Sequence, residues 1–101
     1  MIIFVDIDNT ICYYDNLNST LDYSNAKPYV ERIEKINKLF DNGDTIVYWT
    51  ARGTKTGIRW FNITLEQLNK WGCKYHELRM GKPVYDLFID DKNINSETYF
   101  K

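Results

Sequence analysis

Residues 1–10, MIIFVDIDNT, form the stretch that decides the fold of this chain. Five apolar residues predict a short buried strand, and Asp6 and Asp8 follow directly. Residues two apart at the end of a strand project to the same side, so the two carboxylates should meet where the strand stops. Carboxylates that close repel each other unless one takes a proton or a cation lies between them. The pattern therefore indicates either a functional site or an ordinary strand-to-loop turn, in which Asp, Asn and Thr are common.

Two later apolar runs also end in polar residues. Residues 46–49 (IVYW) lead into Thr50 and Arg52, and residues 86–89 (DLFI) lead into Asp90-Asp91. In open α/β sheets, ligands bind outside the carboxyl ends of the strands. Three strands that each deliver polar groups at this end favour the functional site over the turn.

The segments between these runs have helical periodicity. Residues 29–42 and 58–71 carry apolar side chains at helical spacing, and Gly43 and Gly72 suit the stops. Residues 75–78 predict a further short strand. Strands that alternate with helices predict an α/β fold with a parallel sheet and right-handed crossovers. The length, 101 residues, predicts one domain over residues 1–101.

Composition excludes several classes of function. A net charge of −1 provides no electrostatic footprint for a nucleic-acid backbone. The apolar start of the chain is too short for a signal peptide or a membrane span. Cys12 and Cys73 lack metal-type spacing and indicate reduced, packed thiols. We therefore expect a cytoplasmic protein without a membrane partner.

Four motifs in order resemble those of the haloacid dehalogenase (HAD) superfamily. They are Asp6-x-Asp8-x-Thr10, Thr50, Lys82 and Asp90-Asp91, and the resemblance runs from residue 2 to about residue 95. More narrowly, residues 49–53, 71–75, 81–83 and 90–92 resemble small HAD phosphatases associated with capsule and surface-sugar biosynthesis. The resemblance implies a Rossmann-like three-layer sandwich with sheet order 4-1-2-3. The segments where relatives insert a cap domain are short here, so a capless enzyme with an open cleft is expected.

The resemblance also implies roles in phosphoryl transfer. Asp6 would be the nucleophile that forms an aspartyl-phosphate. Asp8 would protonate the leaving alkoxide and then accept a proton from the attacking water. Thr50 and Lys82 would hold the phosphate oxygens, with Lys74 as the substitute for Lys82, which lies only eight residues before Asp90.

A Mg²⁺ ion is the expected cofactor, because an anionic substrate cannot approach clustered carboxylates without a counter-charge. By resemblance its ligands would be an Asp6 oxygen, the Asp8 backbone carbonyl and Asp91. Asp90 would orient water or Lys82, or replace Asp91 as the ligand. Asn95 would support the metal site or simply cap a helix.

The expected activity is Mg²⁺-dependent hydrolysis of a phosphomonoester, with a sugar phosphate as the substrate. A nucleotide or polynucleotide-end phosphatase is the alternative enzyme, although the charge argues against long nucleic acid. A receiver-like phospho-acceptor domain would need an acceptor Asp where residues 46–49 instead lead into Thr50. A DxD-type glycosyltransferase would need more than this length to hold two substrates. For Arg52, a substrate contact and a surface ion pair are both open.

Substrate specificity would lie in a flap between Ile11 and Asn25 and in the loop of residues 52–60. These segments hold four aromatic side chains, Tyr13, Tyr14, Tyr23 and Trp60, that could stack on a sugar or base or pack against another protomer. An aromatic content of 16% without a cap domain leads us to expect a homo-oligomer.

Overall fold

Residues 1–15 and 22–101 are described in the computed structural model of the protein. Within them the strands are β1 (Ile2–Val5), β2 (Cys12–Tyr13), β3 (Lys27–Pro28), β4 (Thr45–Trp49) and β5 (Glu77–Arg79). The helices are α1 (Val30–Asp41), α2 (Phe61–Lys70) and α3 (Ser96–Tyr99).

The main sheet contains β1, β4 and β5, all parallel, in the order β1-β4-β5. Val5 lies beside Tyr48, and Tyr48 lies beside Leu78. Val5 and Tyr48 belong to one buried cluster, and Leu78 packs against it. The three side chains share a face of the sheet because residues in register on neighbouring strands point to the same side. The chain is therefore a Rossmann-like α/β protein, which confirms the predicted parallel sheet.

Both long helices pack on the same face of this sheet. Ile33 and Ile36 of α1 and Leu68 of α2 belong to one cluster with Val5 and Tyr48. Right-handed crossovers in a 1-2-3 sheet direct both helices to one side. The predicted three-layer sandwich is thus incomplete in the described part of the chain. On the opposite face, Ile2 is 72% exposed and Phe4 is 47% exposed.

The predicted strand over residues 86–89 is wrong for this structure. These residues have no strand assignment, and the side chains of Leu87, Phe88 and Ile89 are exposed. Of the predicted order 4-1-2-3, the described residues form only the 1-2-3 part, and the outer edge of β1 has no strand beside it. The apolar composition of a strand is present, but in this structure the segment pairs with no sheet edge.

A second, two-stranded sheet overlaps the segment from Ile11 to Asn25 where a flap was expected, and its second strand lies beyond that segment. Strands β2 and β3 pair antiparallel, with Cys12 beside Pro28. A 3₁₀ turn over Tyr23–Asn25 precedes β3, and Asp22 caps it by accepting a hydrogen bond from the Ser24 backbone N–H at 3.0 Å. The middle of the expected flap, residues 16–21, lies outside the described residues.

None of the helices in residues 1–15 and 22–101 combines the length and the apolar composition needed to cross a membrane.

Candidate functional site

The loop after β1 is a tight turn that holds two carboxylates at the carboxyl edge of the sheet. The Ile7 carbonyl accepts hydrogen bonds from the backbone N–H groups of Thr10 (3.1 Å) and Ile11 (2.9 Å). Asn9 has φ of 60°, a left-handed conformation that Asn tolerates better than most residues. The buried Ile7 side chain anchors the turn, so Asp6 and Asp8 on either side of it remain near the sheet edge.

Lys82 lies beside Asp6, as the motif order predicted. Its Nζ is 3.5 Å from Asp6 Oδ1. The Lys82 backbone N–H donates to the Thr50 carbonyl at 3.0 Å, and the Thr54 hydroxyl donates to the Lys82 carbonyl at 2.8 Å. These bonds fix the backbone of Lys82 next to the end of β4, so its ammonium can reach Asp6.

The substitute candidate, Lys74, lies elsewhere. Its Nζ is 2.8 Å from Asp41 Oδ1, at the C-terminal end of α1. The geometry therefore favours Lys82 as the cation of this site.

The surroundings of Asp6 shift the pKa of its carboxyl upward. Burial raises the pKa of its carboxyl above the ordinary value, and the nearby Asp8 carboxylate adds to this effect, whereas the Lys82 ammonium lowers the pKa. A raised pKa is common for carboxyls at functional sites, because a partly desolvated carboxylate is less stabilised by water.

Asp8 is bound by Arg52 in a two-point ion pair. Arg52 Nη2 donates to Asp8 Oδ1 at 2.8 Å, and Nε donates to Oδ2 at 3.0 Å. The Tyr14 hydroxyl donates to the same Oδ1 at 2.5 Å. The guanidinium side chain is 0% exposed and that of Asp8 is 22% exposed. The pair is therefore buried on the Arg52 side and open to the site only at Asp8.

Two polar residues of α2 complete the environment of Arg52. Its Nη1 donates to Thr64 Oγ1 at 3.0 Å and to Gln67 Oε1 at 2.6 Å. The ion pair with an acid, one of the two sequence interpretations of Arg52, is observed, but it is buried rather than on the surface. The substrate contact stays a prediction, and in this structure the Arg52 side chain is 0% exposed. The sequence did contain one indication of a buried polar partner for Arg52. Thr64 and Gln67 are polar residues three apart, so they lie next to each other on α2 beside its apolar stripe.

Thr50 is buried directly after β4. Its Oγ1 accepts a hydrogen bond from the Arg52 backbone N–H at 3.2 Å, which leaves the hydroxyl proton free to donate. Because Val5 lies beside Tyr48, Thr50 is level with Ile7 at the same sheet edge as the two carboxylates.

The acidic pair at 90–91 is not part of this arrangement. Asp91 is exposed and pairs with Lys92 at 2.7 Å. Asn95 accepts a hydrogen bond from the Glu97 backbone N–H at 2.9 Å and caps α3, so its helix-cap interpretation is the one observed. Among residues 1–15 and 22–101, no three His, Cys, Asp or Glu side chains lie close enough to hold a metal ion. The predicted ligand set of Asp6, Asp8 and Asp91 is therefore not assembled within one described chain.

Side-chain cations instead balance the two carboxylates that the sequence predicted to repel each other. Lys82 is the partner of Asp6 and Arg52 is the partner of Asp8. The two carboxylates differ in how tightly these cations hold them. Arg52 and Tyr14 donate several hydrogen bonds to Asp8, whereas the Lys82 ammonium lies 3.5 Å from Asp6, whose side chain is partly exposed. Asp6 is therefore the less tightly held carboxylate of the two.

A substitution at Lys82 tests this electrostatic description. We expect Lys82→Met to raise the pKa of Asp6 further, because the change removes the charge that lowers it. Carboxyl-carbon NMR of the labelled protein would follow the titration of Asp6. Lys74→Met removes a lysine that is paired elsewhere and should leave that titration unchanged. An Asp6 titration that moves to lower pH in Lys82→Met would contradict the assignment.

Comparison with known proteins establishes the fold. The chain is similar to the crystal structure of an MCSG target from Vibrio cholerae, with a TM-score of 0.83 and 28% sequence identity. The match covers 98% of this chain and 86% of the other. No protein-family model matches the chain, and no curated protein matches it either. The likeness supports the Rossmann-like α/β fold of the described residues.

Proposed function

We propose that the protein is a HAD-type phosphomonoester hydrolase in which Asp6 is the nucleophile. The observation that carries the proposal is the position of Asp6. It lies at the carboxyl edge of a parallel sheet, partly exposed, with the Lys82 ammonium 3.5 Å away. A carboxylate and a cation at this edge can bring a phosphate group and its attacking atom together.

The proposed reaction has two steps. An Asp6 oxygen attacks phosphorus, the bond to the leaving oxygen breaks, and Asp8 delivers a proton to the departing alkoxide. Water then attacks the aspartyl-phosphate, gives its proton to Asp8 and releases inorganic phosphate with Asp6 restored. The Lys82 ammonium and the free Thr50 hydroxyl proton stabilise the charge on the other phosphate oxygens.

Arg52 and Tyr14 position the proton carrier. Their hydrogen bonds fix the Asp8 carboxyl at one side of the site. These bonds hold the ionised form of Asp8, which accepts the proton of the attacking water in the second step. The proton that Asp8 delivers in the first step has to be bound before the bond to the leaving oxygen breaks.

The residues of one described chain do not fit the expected Mg²⁺ ion. Asp6 and the Asp8 carbonyl supply two oxygen ligands, but no third carboxylate lies near them in the described residues. When bound, the ion would neutralise charge on the transferred phosphoryl group. Magnesium binding at Asp6 therefore requires that Asp90 or Asp91 reach the site from a second copy of the chain.

A small phosphorylated substrate suits the surroundings, and we propose a sugar phosphate. The Tyr23 and Trp60 rings form an edge-to-face pair with centroids 5.0 Å apart, and Arg52 lies 4.9 Å from the Tyr23 ring centroid. Trp60 also lines a shallow groove formed by the loop of residues 52–60 with Met80 and Gly81. Aromatic faces beside a phosphate site can pack against the apolar face of a sugar. A nucleotide monophosphate is the alternative substrate.

A phosphate-release screen tests the function. Purified protein is incubated with sugar phosphates and nucleotides, once with Mg²⁺ and once with EDTA. We expect release from at least one monoester with Mg²⁺, and loss of that release with EDTA. Asp6→Asn is the matched control for contaminating phosphatases. Activity equal in wild type and Asp6→Asn would refute the assignment, and activity unchanged by EDTA would remove the metal from it.

A further inference from the structure

Two apolar surfaces of this chain are exposed and are complementary to each other. The first is the edge strand β1, whose Ile2 and Phe4 side chains are exposed on the sheet face opposite the helices. The second is residues 84–91, here called the arm. In the arm Leu87 is 75% exposed and Ile89 is 87% exposed. The arm bends at Asp86 and has no strand assignment in this structure. An unpaired sheet edge and an apolar segment that can extend along it are the two halves of a strand pairing.

The arm cannot reach the β1 edge of its own chain in the register that would bring the acidic pair to the site. For Asp90 to lie beside Asp6, Asp86 must lie beside Ile2, about 13 Å down the strand. Lys82 is hydrogen-bonded next to the end of β4, and the outer neighbour of β1 is about 9–10 Å across from that strand. The combined separation is about 16 Å, whereas four residues span at most about 14 Å when fully extended.

The same pairing is within reach between two chains. The same four-residue connection of at most about 14 Å then has to reach only the Ile2 end of the neighbouring β1, whose distance from Lys82 is set by how the two copies pack and not by the spacing of strands in one sheet. A connection too short to fold back within its own chain favours exchange of the segment with a second copy. Exchange also covers the exposed side chains of both surfaces, because each copy supplies one edge and one arm.

We propose that two copies of this chain exchange their arms. In this dimer, residues 86–89 of each copy pair in parallel with the β1 edge of the other. The partner's Asp90 and the partner's Asp91 then lie beside Asp6. The third carboxylate that one described chain lacks is supplied in trans, and each site is composed of Asp6, Asp8, Thr50 and Lys82 from one copy and the acidic pair from the other. The register, and with it the role of the acidic pair, rests on the proposed function, whereas whether the arms are exchanged can be measured without it.

Cross-linking tests the exchange without reference to activity. In the proposed register Phe88 lies beside the partner's Phe4, so Phe4→Cys and Phe88→Cys chains that are refolded together should form a disulfide-linked heterodimer under mild oxidation. Leu87→Cys replaces Phe88→Cys in the matched control, because successive residues of a strand face opposite sides. Light scattering of the wild type should give a dimer. A monomer, or equal cross-linking of Leu87→Cys and Phe88→Cys, would overturn the proposal.

Complementation between inactive variants tests the shared site. Asp6→Asn and the double variant Asp90→Asn/Asp91→Asn are each expected to lose activity alone. Refolded together in equal amounts, they form heterodimers with one intact site, and about one quarter of wild-type activity should return. If each site forms within one chain, the mixture stays inactive and the shared site is refuted. If the wild type itself releases no phosphate, the proposed function fails, and cross-linking alone decides the exchange.

Discussion

Asp6→Asn is expected to abolish phosphate release completely, because the amide oxygen is a poor nucleophile and cannot form the acyl phosphate. The fold should survive, since the Asp6 side chain is partly exposed and its contact with Lys82 is a single one at 3.5 Å. Circular dichroism and thermal unfolding close to those of the wild type would show that the loss is chemical. Measurable turnover by pure Asp6→Asn would mean that another group attacks the phosphorus.

Asp8→Asn should behave differently. It removes the proton carrier but leaves Asp6 able to attack, and loss of general acid–base catalysis costs about 10²–10⁴-fold in rate. With p-nitrophenyl phosphate, whose leaving group needs little protonation, the first step should be partly spared. Hydrolysis of the intermediate would then lag, so this variant should accumulate phosphoenzyme. Equal losses with p-nitrophenyl and alkyl phosphates would contradict the acid role of Asp8.

Arg52→Met is expected to give the largest loss of stability. The substitution leaves the Asp8 carboxylate without its cation and strands the buried oxygens of Thr64 and Gln67 without a donor. Removing one partner of a buried ion pair costs about 3–5 kcal/mol in the free energy of unfolding. That is a large part of the total for a domain of this size, typically about 5–15 kcal/mol. Urea denaturation near neutral pH would measure the change.

Two comparisons isolate the buried charge. Arg79→Met breaks an exposed ion pair with Glu77 and should change stability little. Asp8→Asn in the Arg52→Met background removes the unpaired carboxylate and should recover part of the loss. If Arg52→Met were no more destabilising than Arg79→Met, the buried pair would not hold the site together.

The framework of the fold was predictable, because burial leaves a periodic pattern. The apolar runs before Asp6 and Thr50 predicted β1 and β4, and the apolar stripes predicted α1 and α2. The predicted start of α2 came too early, since Ile58 is apolar but exposed, outside the helix. A hydrophobic residue in a loop is indistinguishable by periodicity from one at the start of a helix.

The partners of buried charges were not predictable from local pattern. Arg52 pairs with Asp8 across 44 positions of sequence, and no periodicity links two such residues. The prediction of a strand at residues 86–89 failed for a related reason. An apolar run predicts burial, but the side chains of residues 87–89 are exposed in this structure, and the pattern alone does not show which strand would lie beside them. Lys82 was placed correctly because its neighbour Pro83 and the motif order located it at the same sheet edge as Asp6.

Mass spectrometry of Asp8→Asn after brief exposure to substrate tests the central claim most directly. The account predicts an added phosphate on the peptide that contains Asp6, and none on any peptide of Asp6→Asn treated in the same way. A phosphate on another residue, or an Asp8→Asn protein that turns over substrate without ever carrying phosphate, would contradict the aspartyl-phosphate mechanism.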